Sequence, residues 1–524
     1  MNRCHAIKAL LLLLATQLFA PAGAATAEVE KTFTRHCAEC HGADRLGGMG
    51  PALLPENLRR LRRGMAQQMI SEGRAATQMP AYGGTLSAAQ IEALVDYIYT
   101  PLATVPEWGL DAIRASRKIH LEASALSDKP VYHADPLNLF LVVELEDHHA
   151  TVLDGDSFTP LDRFATPFAV HGGPKYSPDG RFVYLASRDG WIRKYDMYNL
   201  KIVADVRAGI NTRNVAISGD GRYLMVGNYL PHNVVILDAR DLSPLQLIPT
   251  RDEHGTSSRV SAVYTAPPRG SFIVALKDLP EVWEIPYHEK ATALPVYRGP
   301  MHDYRAESGE ESLADTRDFP VRRIRLEDYL DDFFFDRDYR HLIGASRNGK
   351  GQVINLTVGQ RIAELELQGM PHLGSGITWS YQGRDVLATP NLKEGTVTII
   401  DMQNWQTIKT LKTLGPGFFM RSHDNSRYAW VDVFFGKERD AVHIIDKEKL
   451  AIVKTLRPAP GKTSAHVEFT RDGSHALLSI WDKEGAVIVY DANTLQEVTR
   501  LPMRKPSGKY NVYNKTRYEG GTSH

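Results

Sequence analysis

The segment AVIVYDANTLQEV (Ala486–Val498) is an alternating apolar strand that ends in Asp491, passes through a polar turn and begins a second strand. WIRKYDMYNLKIV (Trp191–Val203), NVVILDARDLSPL (Asn233–Leu245), TVTIIDMQNWQTI (Thr396–Ile408) and AVHIIDKEKLAIV (Ala441–Val453) repeat it. The aspartates are Asp196, Asp238, Asp401, Asp446 and Asp491, spaced by 42 residues in the first pair and by 45 and 45 in the last three. Interleaved are SPDGR (Ser177–Arg181), SGDGR (Ser218–Arg222) and TRDGS (Thr470–Ser474), whose Asp-Gly steps are hairpin signals.

An all-strand repeat of this length predicts a β-propeller, because one blade cannot bury its own faces and neighbours must stack around a central channel. From residue 131 onward about 395 residues remain, which at somewhat under 50 each accommodate about eight blades. The irregular middle, about 265–350, carries the charged run DYRAESGEESLADTRDFPVRR (Asp303–Arg323) and reads as a long loop.

The other end of the chain has a different character. Arg3 and Lys8 precede an apolar run from Ala9 to Ala20 and small residues suited to cleavage near Ala24 or Ala27. This is the pattern of an export signal, and the run is too short to span a bilayer comfortably. A mature protein that is exported, periplasmic and without a membrane span is expected. Lys+Arg and Asp+Glu both number 62, so no basic surplus points to nucleic acid.

Of 3 cysteines, Cys4 leaves with the signal, so Cys37 and Cys40 cannot form a disulfide framework. They lie in HCAECHG, a C-x-x-C-H unit. Its thiols would add to haem vinyl groups and His41 would reach the iron, giving one covalent haem c. Met79 in TQMPAYGG is the expected sixth ligand, with Met49, Met65 and Met69 as rivals; His36 is incidental. In LSAAQIEALVDYIYTPL, Ser87 and Gln90 form a capping box ahead of Ile91, Leu94, Val95 and Ile98 on one helix face. The expected fold is mainly β with a small all-α domain. The parts are a signal peptide (1–24), a c-type cytochrome domain (25–103), a linker (104–130) and an eight-bladed propeller (131–524).

A c-type domain followed by such a propeller resembles cytochrome cd1 nitrite reductase and its relatives over essentially the whole mature chain. FAVHGGPKYSPDGRFVYLASRDG resembles the segment whose histidine, here His171, ligates haem d1. PSGKYNVYNK resembles the family's closing sequence, and VPEWG its linker. QGMPHLGSG resembles the setting of one distal histidine, here His372. The setting of the other resembles YLDDFF, which puts Asp331 in its place and Phe333, Phe334 and Phe335 beyond it, with His341 ten residues on. An aspartate there would repel nitrite, whose reduction consumes protons.

CAECHGADRLGGMGPALLPENL and ATQMPAYGGTLSAAQIEALVDYI resemble the dihydro-haem d1 dehydrogenase subfamily. That likeness implies oxidation of a propionate to an acrylate on a haem d1-binding propeller, with haem c as electron acceptor. It implies His372 or His171, or both, at the iron, one of them being otherwise a pocket residue. It also implies Arg421 on substrate carboxylates, His466 as base or carboxylate contact, and Tyr510 (its rival Tyr513) as proton donor or relay. Expected partners are the dihydro-haem d1 substrate, a soluble electron acceptor, and nitrite reductase or other d1-assembly proteins. Nitrite reduction and a non-catalytic d1 carrier are the competing readings.

Overall fold

In the computed structural model each Asp-ended segment is the third strand of an antiparallel meander, and its aspartate builds the turn that follows. Asp196 accepts from the backbone N–H of Tyr198 and Asn199, Asp446 from Glu448 and Lys449, and Asp491 from Asn493 and Thr494. Four residues after the aspartate the chain turns left-handed, at Leu200, Leu242, Trp405, Leu450 and Leu495. The arginine after the preceding hairpin then pairs with the same carboxylate: Arg181 with Asp196, Arg384 with Asp401, Arg427 with Asp446. One residue type thus caps a turn and ties two turns of a blade, which explains its recurrence.

The structure describes residues 22–47, 50–59, 61–74, 79–104, 107–167, 170–288, 318–346 and 350–518. Two compact units are present, Met1–Arg45 with Leu53–Ala103, and Leu46–Ala52 with Thr104–His524.

In the first unit the helix Ala88–Ile98 starts at the capping box, with the Gln90 N–H donating to Ser87 Oγ and the Ser87 N–H to Gln90 Oε1. Its Ile91, Leu94, Val95 and Ile98 are buried with Phe33, Ala66 and Ile70 from the helices Ala22–His36 and Arg63–Glu72. The second unit holds eight sheets, seven of four strands and one of five. The ring closes where the strand Pro506–Asn511 pairs with Leu139–Glu144, Leu141 opposite Tyr510. A mainly β fold with an eight-bladed propeller and a small helical domain is therefore borne out.

Two segments differ from expectation. The described parts of the middle are strands and not a long loop. Val260–Ala266, Ser271–Leu276, Glu281–Pro286 and Arg322–Arg325 form one blade, and Asp332–Phe335, His341–Ala345, Lys350–Asn355 and Gln360–Glu366 the next. Only 289–317 of the irregular run lies outside the described residues there, apart from 347–349. These blades lack the Asp signature. In the first, Arg322 and Arg269 each donate to Glu284 at 2.8 Å; in the second, Asn355 ends the third strand in the aspartate's place and accepts from the Thr357 and Val358 N–H groups. The expected linker is likewise folded over residues 107–130. The helix Leu110–Ser116 buries Ile113, and Lys118–Ile119 adds a fifth strand beside Lys201–Arg207. The signal segment 1–21 lies outside the described residues.

Candidate active site

Cys37 stands at the start of the short helix Ala38–His41, and the His41 N–H donates to the Cys37 carbonyl at 2.9 Å, so Cys37, Cys40 and His41 share one turn. Both thiols are free and half-buried, and burial pushes Cys37 up to about 11. Met79 packs against the same apolar cluster as Cys37, whereas Met65 is 49% exposed. Met69 is half-buried in its helix, and Met49 lies outside the described residues. Gly73 (φ +74°) allows the Met79–Ala81 loop its close approach, since a Cβ there would meet the Pro80 carbonyl carbon at 2.9 Å. An apolar pocket with two thiols, a histidine and a thioether fits a covalent haem c.

In the propeller, residues on or just before the innermost strands touch in a closed ring. His171 Nδ1 lies 2.7 Å from the Arg213 carbonyl, Arg213 Nε donates to the Ser261 carbonyl at 2.8 Å, and Ser261 Oγ donates to the Asp331 carbonyl at 3.0 Å. Asp332 Oδ2 is 3.6 Å from His372 Nε2, and His372 Nδ1 is 2.5 Å from the Phe418 carbonyl. The Phe419 and His466 rings are 4.7 Å apart and the His466 and Tyr510 rings 5.2 Å apart. A Cβ on Gly173 would meet the Tyr510 ring at 3.1 Å, which returns the circuit to the loop of His171. All eight blades contribute, so four separately expected residues, His171, His372, His466 and Tyr510, surround one axis.

One wall is cationic. Arg188 Nη2 lies 2.7 Å, and Arg213 Nη1 3.1 Å, from His171 Nε2. Arg188, Arg259 and Lys277 lie 5.9, 5.6 and 5.6 Å from the Tyr229 ring centre. Burial alone would raise the Tyr229 phenol, but Lys277, Arg213, Arg188 and Arg259 pull it down to about 7. Two residues before Arg213, Asn211 is fully buried with neither side-chain polar atom hydrogen-bonded. Such an orphaned amide suits a polar ligand group. Sequence reasoning missed Arg188, Arg213, Tyr229 and Asn211, which lie in ordinary-looking strand and hairpin positions.

The other wall is aromatic and protonic. Phe418, Phe419, Phe434 and Phe435 stack beside His372, with Trp481 5.0 Å from Phe434. His466 sits at a β-bulge with φ +57°, a left-handed conformation that a histidine rarely adopts inside a strand. Its N–H donates to Asp432 Oδ2 at 3.3 Å, and Lys509 Nζ donates to its carbonyl and, at 2.8 Å, to Ser479 Oγ. Burial, then Lys509, Lys515 and Arg421, hold the His466 imidazole neutral. Burial also raises Asp432 to about 7, despite the Phe418 and Phe419 N–H groups on its Oδ1. The Tyr510 phenol is raised by burial and by Glu468.

Three expectations change in detail. Arg421 spends its fork on Glu468, with Nη2 at 3.1 Å and Nε at 3.3 Å, so it positions a buried carboxylate rather than offering two free donors. Asp331 is the counter-ion of Lys277 at 3.0 Å, and its neighbour Asp332 is the group beside His372, because successive strand residues face opposite ways. Phe333, Phe334 and Phe335 do not crowd the axis; they fill blade cores. Tyr513 lies under the guanidiniums of Arg471 and Arg517. His341 pairs with Asp336 at 2.7 Å.

A family model described as cytochrome C oxidase, cbb3-type, subunit III matches residues 24–98. One described as cytochrome D1 heme domain matches 134–305 and 306–515. The chain belongs to the cytochrome D1 heme domain family, carried here behind a c-type cytochrome domain. Within it the chain is 54% identical over 508 residues to the dihydro-heme d1 dehydrogenase of Pseudomonas aeruginosa, spanning 97% of this chain and 98% of that one. A solved structure described as dihydro-heme d1 dehydrogenase NirN in complex with DHE matches with TM-score 0.78, covering 93% of this chain and 99% of the other. The nitrite reductase of Stutzerimonas stutzeri is more distant, at 24% identity over 93% of this chain and 92% of its own.

Proposed function

We propose that this protein is a dihydro-haem d1 dehydrogenase, removing two hydrogens from a propionate side chain to leave an acrylate in the last step of haem d1 formation. The covalent haem c, held by Cys37, Cys40, His41 and Met79, supplies the electron acceptor when bound. The observation that carries the reading is His466, a neutral, buried, backbone-strained imidazole set against the neutral phenol of Tyr510. A neutral imidazole accepts a proton from carbon, and a protonated phenol holds or relays one. Arg188 and Arg213 hold ligand carboxylates, and His171, its Nδ1 on the Arg213 carbonyl and its Nε2 lone pair facing both guanidiniums, orients them. His372 would hold the iron: the Phe418 carbonyl orients its Nδ1, and Nε2, 3.6 Å from Asp332 Oδ2, is the nitrogen that would ligate. The wall of Phe418, Phe419 and Trp481 keeps water from the reacting side chain.

Nitrite reduction finds less support, because the group beside His372 is the carboxylate of Asp332 and not a second cationic imidazole. Among the described residues no helix is long and apolar enough to cross a membrane. An exported, periplasmic protein that meets a soluble electron acceptor and hands its product toward nitrite reductase completes the proposal. Anaerobic addition of dihydro-haem d1, followed by visible spectra, tests it. Conversion with reduction of haem c and negligible nitrite turnover is expected. Bound substrate that stays unconverted under oxidising conditions sinks the reading, and tight binding indifferent to His466 or Tyr510 replacement marks a carrier.

A further inference from the structure

The reaction just proposed breaks two C–H bonds, forms one C=C bond and releases two protons and two electrons, the electrons one at a time to oxidised haem c, which a soluble one-electron acceptor reoxidises between steps. Electrons and protons need different exits. The protons start at the ring of His466 and Tyr510, which is covered on its open side once a macrocycle lies over it. Below that ring the axis is not apolar. Lys515 Nζ lies 5.6 Å from the centre of the Tyr510 ring. It comes from the C-terminal helix Val512–Thr516, whose Asn514 donates to Glu468 Oε1 at 3.2 Å. Glu468 in turn holds Arg421 and faces Tyr510 and Lys515.

Lys515 also lines a cavity of about 200 Å³ together with Lys175, Tyr176, Tyr264, Thr516, Arg517 and Tyr518. That volume holds several water molecules. Tyr176 ties it to the ring, its hydroxyl donating to the Tyr510 carbonyl at 3.1 Å. The far side reaches solvent, where Tyr518 is 43% exposed. Lys175, 5.6 Å from the Tyr264 ring centre, lines the same cavity.

Resting on the dehydrogenase reading, we propose that the propeller axis is a proton exit: protons taken up at His466 and Tyr510 pass by Lys515 to the water-holding cavity and leave past Lys175 at the C-terminal end. Lys515 is a positioning and relay residue, since it touches Tyr510 and not the substrate. A relay lysine must be able to lose its proton. Burial, then Arg421 and Lys175, against the pull of Glu468, hold the Lys515 ammonium well below its ordinary range. Burial and Arg213 bring Lys175 down to about 8. A purely structural ion pair would favour the opposite shift.

The test follows proton release into a weakly buffered, dye-containing solution when dihydro-haem d1 meets the holoprotein with oxidised haem c. Lys515→Met should slow proton release and conversion together, by about tenfold or more for a lost proton carrier, with KM and the substrate-bound spectrum unchanged. Added methylamine should restore part of the rate, and Lys175→Met, an independent variant at the outlet, should show a smaller loss. Wild-type rates in Lys515→Met, or slowing with an altered bound spectrum and no rescue by amine, would overturn the route. A wild type that converts normally beside an unaffected Lys515→Met removes only this inference. A wild type that converts nothing removes the dehydrogenase reading and the route with it.

Discussion

The two walls of the propeller mouth are built from equivalent strand positions yet have opposite chemistry. Around His171 the blades supply Arg188, Arg213, Arg259 and Lys277, enough positive charge to draw a tyrosine phenol down to about 7. Around His466 they supply Phe418, Phe419 and Trp481, with Asp432 and Lys509 both held near neutrality by burial. The first environment stabilises anions, the second makes proton transfer inexpensive in either direction. A substrate that carries carboxylates on one side and a reacting C–H bond on another needs both. One ring of eight blades meets that need because each contributes a single short inner strand whose side chains are independent of the blade's own core.

The sharpest way to break the comparison is His466→Gln, which keeps the volume and removes the base. Conversion of dihydro-haem d1 should fall about a thousandfold with the bound spectrum intact. Gly508→Ala comes next. Its new Cβ would lie 2.3 Å from Tyr510 Oη, so the phenol must move, and a displacement of that kind should cost about a hundredfold in single-turnover rate. On the cationic wall, Arg188→Met should weaken binding about tenfold, in titrations read by haem absorbance, and flatten the salt dependence, without changing the rate at saturation.

Two smaller effects concern pH alone. Ultraviolet titration of the substrate-free protein should show one tyrosinate forming near pH 7, lost in Tyr229→Phe. Asp432 is raised from 3.8 to about 7, so the folded state binds the extra proton and its contribution is lost as pH rises through about 7. Denaturant melts of Asp432→Asn should therefore show a flatter pH dependence than the wild type between those values, and an unchanged slope would reject the assignment.

The propeller was legible in the sequence wherever an aspartate closes the third strand, because that side chain builds a turn by purely local hydrogen bonds. It was illegible in the blade Val260–Arg325, where Glu284 between Arg269 and Arg322 does the tying, and in the next, where Asn355 stands in place of the aspartate and accepts from the Thr357 and Val358 N–H groups. The site divides in the same way. C-x-x-C-H is a local unit, and Cys37, Cys40 and His41 occupy one helical turn. Asp331 and Asp332 are adjacent letters, and only the pleat decides that the second faces His372 while the first is neutralised by Lys277.

What the chain determined by itself is whatever depends on neighbours a few residues away: the haem attachment turn, the capped helix and the repeated Asp-marked hairpins. Tertiary structure alone decided the rest. It set His171, His372, His466 and Tyr510 around one axis, gathered unremarkable arginines into a cationic wall, and committed Arg421 to Glu468. The reason is physical: charge effects and burial act through space, so a protonation state is settled by groups that the sequence keeps on separate blades.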